Sequence, residues 1–270
     1  MTPLLDRYEV FRRLHEAGCF VIPNPWDIGS ARVLAQLGFQ ALATTSSGFA
    51  WSQGKPDNGV ALDDAIGHFR AIAASVDIPV NGDFEGGFAV EPAGVAANVA
   101  RAVTTGIAGV SIEDSTGDAS QPLFDFDLAV ERIRAARKAI DQSGTRVLLT
   151  GRSEGFIVGR PDLKETIRRI TAYAEAGADC VYPPGIRSHD DIAAVVKAVA
   201  PKPVNILVGA DFATVADLAK LGVRRISVGG ALARAAWTGC LTAATEIATT
   251  GTFKTLGEAV PFAEINRRFQ

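Results

Sequence analysis

Eight short β-rich runs alternate with helical segments from one end of the chain to the other, and no other feature limits the fold so strongly. The runs are CFVIPN (19–24), ALATTSS (41–47), PVNGDFE (79–85), GVSIEDS (109–115), RVLLTGRSE (146–154), CVYPPG (180–185), PVNILVG (203–209) and RRISVGG (224–230). The segments between them carry apolar residues at helical spacing, as in DIGSARVLAQLG and SHDDIAAVVKAVA, and several open on Asp or Ser and close on Gly. Near-continuous apolar strands separated by helices require a parallel sheet covered on both faces. Eight such units close into an α/β (β/α)8 TIM barrel. An open doubly wound sheet is the competitor, but no GxGxxG or Walker loop follows the first run. At 270 residues, the expected organisation is one barrel domain over 1–270, since such barrels run to about 250 residues.

Composition narrows the partners. Hydrophobic residues make up 47% and charged residues 21%, enough to bury a large core. The net charge is -3 and no Lys/Arg run exceeds a pair, so nucleic acid is not an expected partner. The longest stretch of small apolar residues, GGALARAAWTGCLTAATEIA, contains Arg234 and Glu246 and does not suit a membrane span, and the charged start shows no signal-peptide run. Cys19, Cys180 and Cys240 are odd in number and widely spaced among apolar residues. They read as buried thiols of a reducing compartment, which makes a cytoplasmic location the expectation.

Chemistry in such a barrel sits at the carboxyl ends of the strands. Those ends read Asn24 and Asp27, Ser46 and Ser47, Asn81 to Glu85, Glu113 and Asp114, Arg152 and Glu154, Tyr182, and Asn205. In PVNGDFEGG the residues Asn81, Asp83 and Glu85 alternate, so a strand would turn all three to one face. His15 and His68 fall within helical segments and His189 opens one, so each reads as a solvated or locally bonded helix residue. No Lys lies in a strand core, which counts against a Schiff-base aldolase. Asp83 and Glu113, with Asn81 or Glu85, offer a hard-oxygen site suited to Mg2+ or Mn2+. Arg152 can grip a carboxylate in two-point fashion or, equally, pair with Glu113 or Glu154 as a structural ion pair. Metal and Arg152 together would hold a 2-oxo acid and stabilise an enolate oxygen. TTSSGFAWSQGKPD supplies small residues for an anion nest, and Gly229 and Gly230 read as close-packing positions.

Six pieces in barrel order, PNPWDIGSARVLAQLGF, SSGFAWSQGKPD, NGDFEGGF, SIEDS, GRSEGF and AEAGADCVYPPGI, give the chain its likeness to a family. Over essentially its whole length the chain resembles the phosphoenolpyruvate mutase/isocitrate lyase superfamily. The resemblance implies a Mg2+-dependent barrel whose last helix packs on a neighbouring subunit, giving homodimers or homotetramers, and chemistry through an enolpyruvate-like intermediate. Carried over by position, Asp83 and Glu113 become metal-site acids, with Glu113 also in the catalytic set, and Arg152 the substrate and enolate clamp. Ser47, Gly48 and the Phe49 amide would hold the substrate carboxylate, and Trp26 in the first piece would be a further substrate contact. Asp57 matches a loop aspartate bordering the metal and joins the catalytic set, since it or Glu85 would have to serve as base for a substrate hydroxyl, and Asn205 matches a polar substrate contact on the seventh strand.

Departures from the family pattern shape the functional expectation. Asn81-Gly82-Asp83 stands where the family usually has Asp-x-Asp, with Glu85 available on the same face to restore the charge. The segment STGDASQPLFDFD lacks the Lys-(Lys/Arg)-Cys-Gly-His motif of isocitrate and methylisocitrate lyases, and Tyr182-Pro183-Pro184 replaces their Glu. The expectation is a Mg2+-dependent carbon-carbon lyase or decarboxylase acting on a small 2-oxo or 2-hydroxy carboxylate. The alternatives are phosphoenolpyruvate/phosphonopyruvate P-C chemistry, and a non-catalytic binder of 2-oxo acids.

Overall fold

The computed structural model describes residues 4–270; the first three residues of the charged N-terminal stretch lie outside the described residues. Every β-rich run contains one strand: β1 (Phe20–Ile22), β2 (Leu42–Ala43), β3 (Val80–Asp83), β4 (Gly109–Glu113), β5 (Leu148–Arg152), β6 (Cys180–Tyr182), β7 (Asn205–Leu207) and β8 (Arg225–Ser227). The helices are α1 (Leu4–Glu16), α2 (Ile28–Gln36), α3 (Ser46–Ser52), α4 (Leu62–Ser75), α5 (Pro92–Ala102), α6 (Phe126–Gln142), α7 (Leu163–Glu175), α8 (His189–Val199), α9 (Val215–Lys220), α10 (Ala231–Thr250) and α11 (Phe262–Arg267).

All strand pairs are parallel, in the orders β2-β3-β4-β5-β6 and β1-β8-β7. This is the α/β arrangement the alternation demands, in two curved parallel sheets whose edges meet. A parallel bridge joins Val181 to Val204 between β6 and β7, and Ala43 N donates to Pro23 O (3.1 Å) between β2 and β1. Ile22, Leu42, Val110, Ile112, Leu149 and Ile206 are fully buried, with Phe69, Ile72, Ile140 and Ile170 on the helices. Each such side chain contributes about 1.5–3 kcal/mol of transfer free energy. Gly82 permits close helix packing on β3: a Cβ there would lie 2.7 Å from the Phe69 ring of α4.

Several polar residues at the carboxyl ends are used in folding. Asp27 caps α2 in a capping box with Ser30. Asn24 ties the β2 and β8 ends together, donating to Thr44 O (3.0 Å) and accepting from Val228 N (2.9 Å) and Gly229 N (2.8 Å). Gly230 has the packing role expected of it, since a Cβ there would lie 2.8 Å from Ser47 Oγ.

Three expectations are corrected. The second run was read as β-rich through Ser47, but its strand stops at Ala43 because the Thr45 hydroxyl caps a new helix, accepting from Gly48 N (3.3 Å). His15 and His68 are buried rather than solvated, although His15 has the local bond that was the other expectation, from Nδ1 to Phe11 O (2.7 Å), while His189 is exposed. Cys240 lies exposed on α10 and Cys19 is half-buried, so only Cys180 is a buried thiol. Among the described residues no helix is long and apolar enough to cross a membrane.

Candidate active site

At the carboxyl ends of β3, β4 and β5 one guanidinium gathers three acids. Arg152 donates from Nη1 to Asp83 Oδ1 (2.6 Å) and from Nε to Glu154 Oε1 (3.0 Å), and its Nη2 lies 3.0 Å from Glu113 Oε2. Register explains the meeting, since Glu113 and Arg152 are direct partners on β4 and β5. All four side chains are at least 86% buried (exposures of 14% or less). The Tyr182 ring lies below, its centroid 5.0 Å from the guanidinium carbon. The group lines a cavity of about 510 Å3 that also reaches Ser47, Asp57, Asn81 and Asn205.

Two more acids crowd the cluster. Glu85 follows β3 in the left-handed conformation (φ 47°), and its carbonyl accepts from Glu113 N (3.0 Å). Arg132 of α6 holds that turn, donating to Gly86 O, Ala89 O and Val90 O while its guanidinium stacks 3.8 Å from the Phe124 ring centroid. Asp57 comes from the loop after α3. The residue is exposed overall, but its carboxyl bonds Ser46 and feels the charge of Asp83.

Burial first, and the crowding of like charges second, show in the titration behaviour. Burial pushes Glu113 well above the ordinary carboxylate value; Arg152 opposes the rise, and Glu154 and Asp83 add to it. Glu85 is pushed up to about 7 by burial and then by Asp83 and Asp57. Burial also raises Glu154 and Asp57. Burial works against the charge on Arg152, yet Glu113, Glu154 and Asp83 outweigh it and hold the guanidinium well above its usual pKa.

The anticipated ligand set is only partly assembled. Among the described residues no group of three His, Cys, Asp or Glu is arranged to hold a metal ion; Asp83 and Glu113 instead turn oxygens onto Arg152. Asn81 sits lower than those acids, in register with Ala43 and Gly109, and its Nδ2 bonds Gly82 O (3.3 Å). Glu85 stands at the level of Glu113, but of the two it is Asn81 that lines the main cavity with Asp83 and Glu113, while Glu85 lines a small neighbouring cavity beside His68. The residues nonetheless fit a hard divalent cation by chemistry: Asp83, Glu113 and Glu154 share one guanidinium, Asp57 and Glu85 lie near enough to feel its charge, and the buried Asn81 Oδ1 has no partner.

The predicted carboxylate nest is also reduced. Gly48 N is occupied by Thr45 Oγ1, and Phe49 N donates to Thr45 O (3.0 Å) within α3. The Phe49 ring stacks on His68, with centroids 3.9 Å apart. Trp26 packs behind α3, its Cβ 3.0 Å from where a Gly48 Cβ would stand, and lines a different surface groove. Only Ser47 of these four residues lines the main cavity.

Deeper in the cavity, Arg225 and Ser227 of β8 are groups that sequence reasoning did not single out; they join Tyr182 and Asn205, which it did, although Asn205 opens β7 instead of ending it. Arg225 Nε donates to Asn205 Oδ1 (2.9 Å), Asn205 Nδ2 to Ser227 Oγ (2.9 Å), and Ser227 Oγ to Tyr182 Oη (3.3 Å). Asp114 faces outward, accepting from Glu154 N (2.8 Å), Arg169 Nη1 (3.0 Å) and Tyr173 Oη (2.6 Å), and so fixes the backbone beneath Glu154.

Comparison with known proteins places the chain among relatives of one family. A family model described as phosphoenolpyruvate phosphomutase matches residues 11–248. A Burkholderia cenocepacia J2315 crystal structure, named only provisionally as a lyase/mutase, is 47% identical with a TM-score of 0.94, covering 98% of this chain and 96% of its own. The oxaloacetate decarboxylase of Paraburkholderia xenovorans strain LB400 is 29% identical over 84% of this chain and 76% of its own. A phosphonopyruvate hydrolase crystallised with oxalate and Mg2+ is 27% identical with a TM-score of 0.84, over 100% of this chain and 95% of its own.

Proposed function

The chain belongs to the phosphoenolpyruvate mutase/isocitrate lyase superfamily, and from that premise we propose that it is a Mg2+-dependent carbon-carbon lyase or decarboxylase of a small 2-oxo or 2-hydroxy carboxylate, working through an enolate. One observation carries the reading: Asp57, Asp83, Glu113 and Glu154 line, with Arg152, a cavity open to solvent, and Glu85 stands close enough behind them to feel the charges of Asp83, Asp57 and Arg152. So many acids repel an anionic substrate unless a cation joins them. Asp83 and Glu113, with Glu85 and Asp57 directly or through water, would hold Mg2+, Mn2+ being the alternative. When bound, the metal supplies Lewis acidity to the 2-oxo group.

The chain's own groups do the rest. Arg152 grips the substrate carboxylate and faces the negative charge that develops on the C2 oxygen. Ser47 hydrogen-bonds the carboxylate from the α3 side, and Asn205 and Tyr182 line the opposite wall. In a decarboxylation the C-C electron pair moves to C3 as CO2 leaves, and solvent entering the cavity returns the proton. The related oxaloacetate decarboxylase, and the oxalate and Mg2+ held by the related hydrolase, support this reading.

The test is calorimetric titration of oxalate into metal-stripped protein, with and without Mg2+, beside Arg152→Ala, followed by a turnover screen of 2-oxo acids. Metal-dependent oxalate binding that is lost in the variant, with release of CO2 or a cleaved acid, is expected. Turnover of phosphonopyruvate, with no C-C cleavage of any other 2-oxo acid, would move the chain to P-C chemistry. Binding without any product would make it a binding protein.

Two structural readings accompany the function. The bridges at both sheet edges support a closed (β/α)8 barrel. α10 buries only Ala233 and Ala243 and exposes Leu232, Trp237, Leu241 and Ile247, which supports packing against a second subunit in a homodimer or homotetramer.

A further inference from the structure

Arg225 is a buried cation with only neutral partners. It is 3% exposed, opens β8, and donates to Asn205 Oδ1 (2.9 Å) and Thr150 Oγ1 (3.1 Å). Its third partner is His15 Nε2 (3.3 Å) on α1. His15 Nδ1 lies 2.7 Å from the Phe11 carbonyl, which can only accept, so Nδ1 carries the hydrogen and Nε2 offers Arg225 a lone pair. No carboxylate is among the hydrogen bonds or ion pairs found for Arg225 within the described residues. A buried guanidinium without a counter-charge is costly, and it draws an anion wherever one can reach it.

An anion can reach it through the main cavity. Arg225 lines the same 510 Å3 space as Arg152, Asp83 and Glu113. Its partner Thr150 lies two residues before Arg152 on β5, one inward-facing layer deeper, which at strand rise is ~7 Å. Three hydrogen bonds leave two of its five N-H groups free. The cavity thus has an acid-rich mouth clamped by Arg152 and a cationic floor, spaced for a chain of four or five carbons.

Resting on the enolate-site reading above, we propose that Arg225 binds a second carboxylate on the substrate, so that the cavity selects dicarboxylates over monocarboxylates of equal length. Arg225 is a specificity residue here. Arg152 faces the 2-oxo end, where the enolate charge develops, and Arg225 holds the far carboxylate, which in a four-carbon acid is the one released as CO2.

The test uses calorimetry with saturating Mg2+ and three probes: oxalate, which is too short to span the cavity, 2-oxoglutarate, and the monoacid 2-oxohexanoate. Wild-type protein is expected to bind 2-oxoglutarate at least about tenfold more tightly than 2-oxohexanoate. Arg225→Met should abolish that preference and leave oxalate affinity within about twofold, while Arg225→Lys, keeping the charge, should retain part of it. Equal wild-type affinity for the two longer acids refutes the proposal with no variant needed, which matters if Arg225→Met fails to fold. A preference that survives Arg225→Met refutes it as well. Wild-type protein that does not bind oxalate overturns the enolate-site reading and this inference with it, whereas oxalate binding without a dicarboxylate preference overturns this inference alone.

Discussion

Replacing Arg152 by Met tests whether the cluster at the strand ends is a charge balance waiting for a second cation. In the wild type this guanidinium meets Asp83, Glu113 and Glu154 at 2.6 to 3.0 Å, with every partner largely buried. Removing one side of such a buried pair costs about 3–5 kcal/mol, since the remaining charges lose their partner but not their desolvation. At about 2–4 °C per kcal/mol for a chain of this size, the melting temperature of the metal-free variant should fall by roughly 6–20 °C near pH 8. The sign of the pH dependence follows from the acids. Glu113 and Glu154 already titrate above their ordinary value because of burial, and losing Arg152 raises them further. Between the unfolded carboxylate value and the raised folded one, the folded state holds protons that the unfolded state does not, so stability falls as pH rises. The variant's deficit should therefore shrink toward about pH 5.5, and taking the difference from wild type cancels the buried histidines. Saturating Mg2+ should recover part of the loss near pH 8. The assay is differential scanning calorimetry at both pH values, with chelator and with Mg2+. A deficit independent of pH and indifferent to Mg2+ would refute the charge argument.

Two further outcomes are expected. His15 is pushed down to about 3 by burial and then by the Arg225 charge, so the unfolded state gains a proton below about pH 6.5 that the folded state refuses; stability should drop by about 1.4 kcal/mol per pH unit from this residue alone, and urea midpoints for His15→Gln should show a shallower acid limb by that amount. On α10, Trp237 and Leu241 are 42% and 59% exposed, and Trp237→Glu with Leu241→Glu should convert an oligomer to monomers by light scattering without lowering the melting temperature of the monomer unit.

The periodic features of the sequence located the strands, and the alternation of Asn81 and Asp83 located the strand that brings an acid to Arg152, because both rest on geometry repeated every second residue; Glu85 falls past the strand end, in a left-handed turn. Level was harder to read than face. Asn81 shares a face with Asp83, yet cross-strand register sets Asn81 against Gly109 and brings Glu85 to Glu113, and register depends on neighbouring strands. α3 was missed because Thr-Thr-Ser-Ser is β-compatible until the Thr45 hydroxyl is seen to cap a helix. Arg225 was passed over as half of a basic pair at a strand start. The signal was present, since Arg225 and Ser227 alternate with Ile226 and Val228, and Arg224 instead reaches out to Gly18 O (2.8 Å). Arg132 gives no local cue, because its value lies in three carbonyls more than forty residues earlier in the chain.

The segment between β4 and α6 narrows the chemistry within the proposed class. Ser115 bridges Leu123, and the Thr116 hydroxyl bonds Gln121 O (2.5 Å), so the loop closes on itself at the cavity edge. Asp118 is the ionisable residue between Ser115 and Phe124, and its carboxylate accepts from Ser120 N (2.8 Å) and Ser120 Oγ (2.7 Å), bonds that hold it below its ordinary pKa. An acid so committed is a poor proton carrier at neutral pH. Cleavage of a 2-hydroxy acid needs a base to take the hydroxyl proton as the C-C bond breaks, and this loop does not supply one. Loss of CO2 from a 2-oxo dicarboxylate needs none, since the leaving group is neutral and the charge stays on the enolate facing Arg152. Within the proposed class, the clamp without a loop-borne base therefore favours decarboxylation of a 2-oxo acid whose second carboxylate is β to the oxo group, the arrangement in which loss of CO2 leaves an enolate.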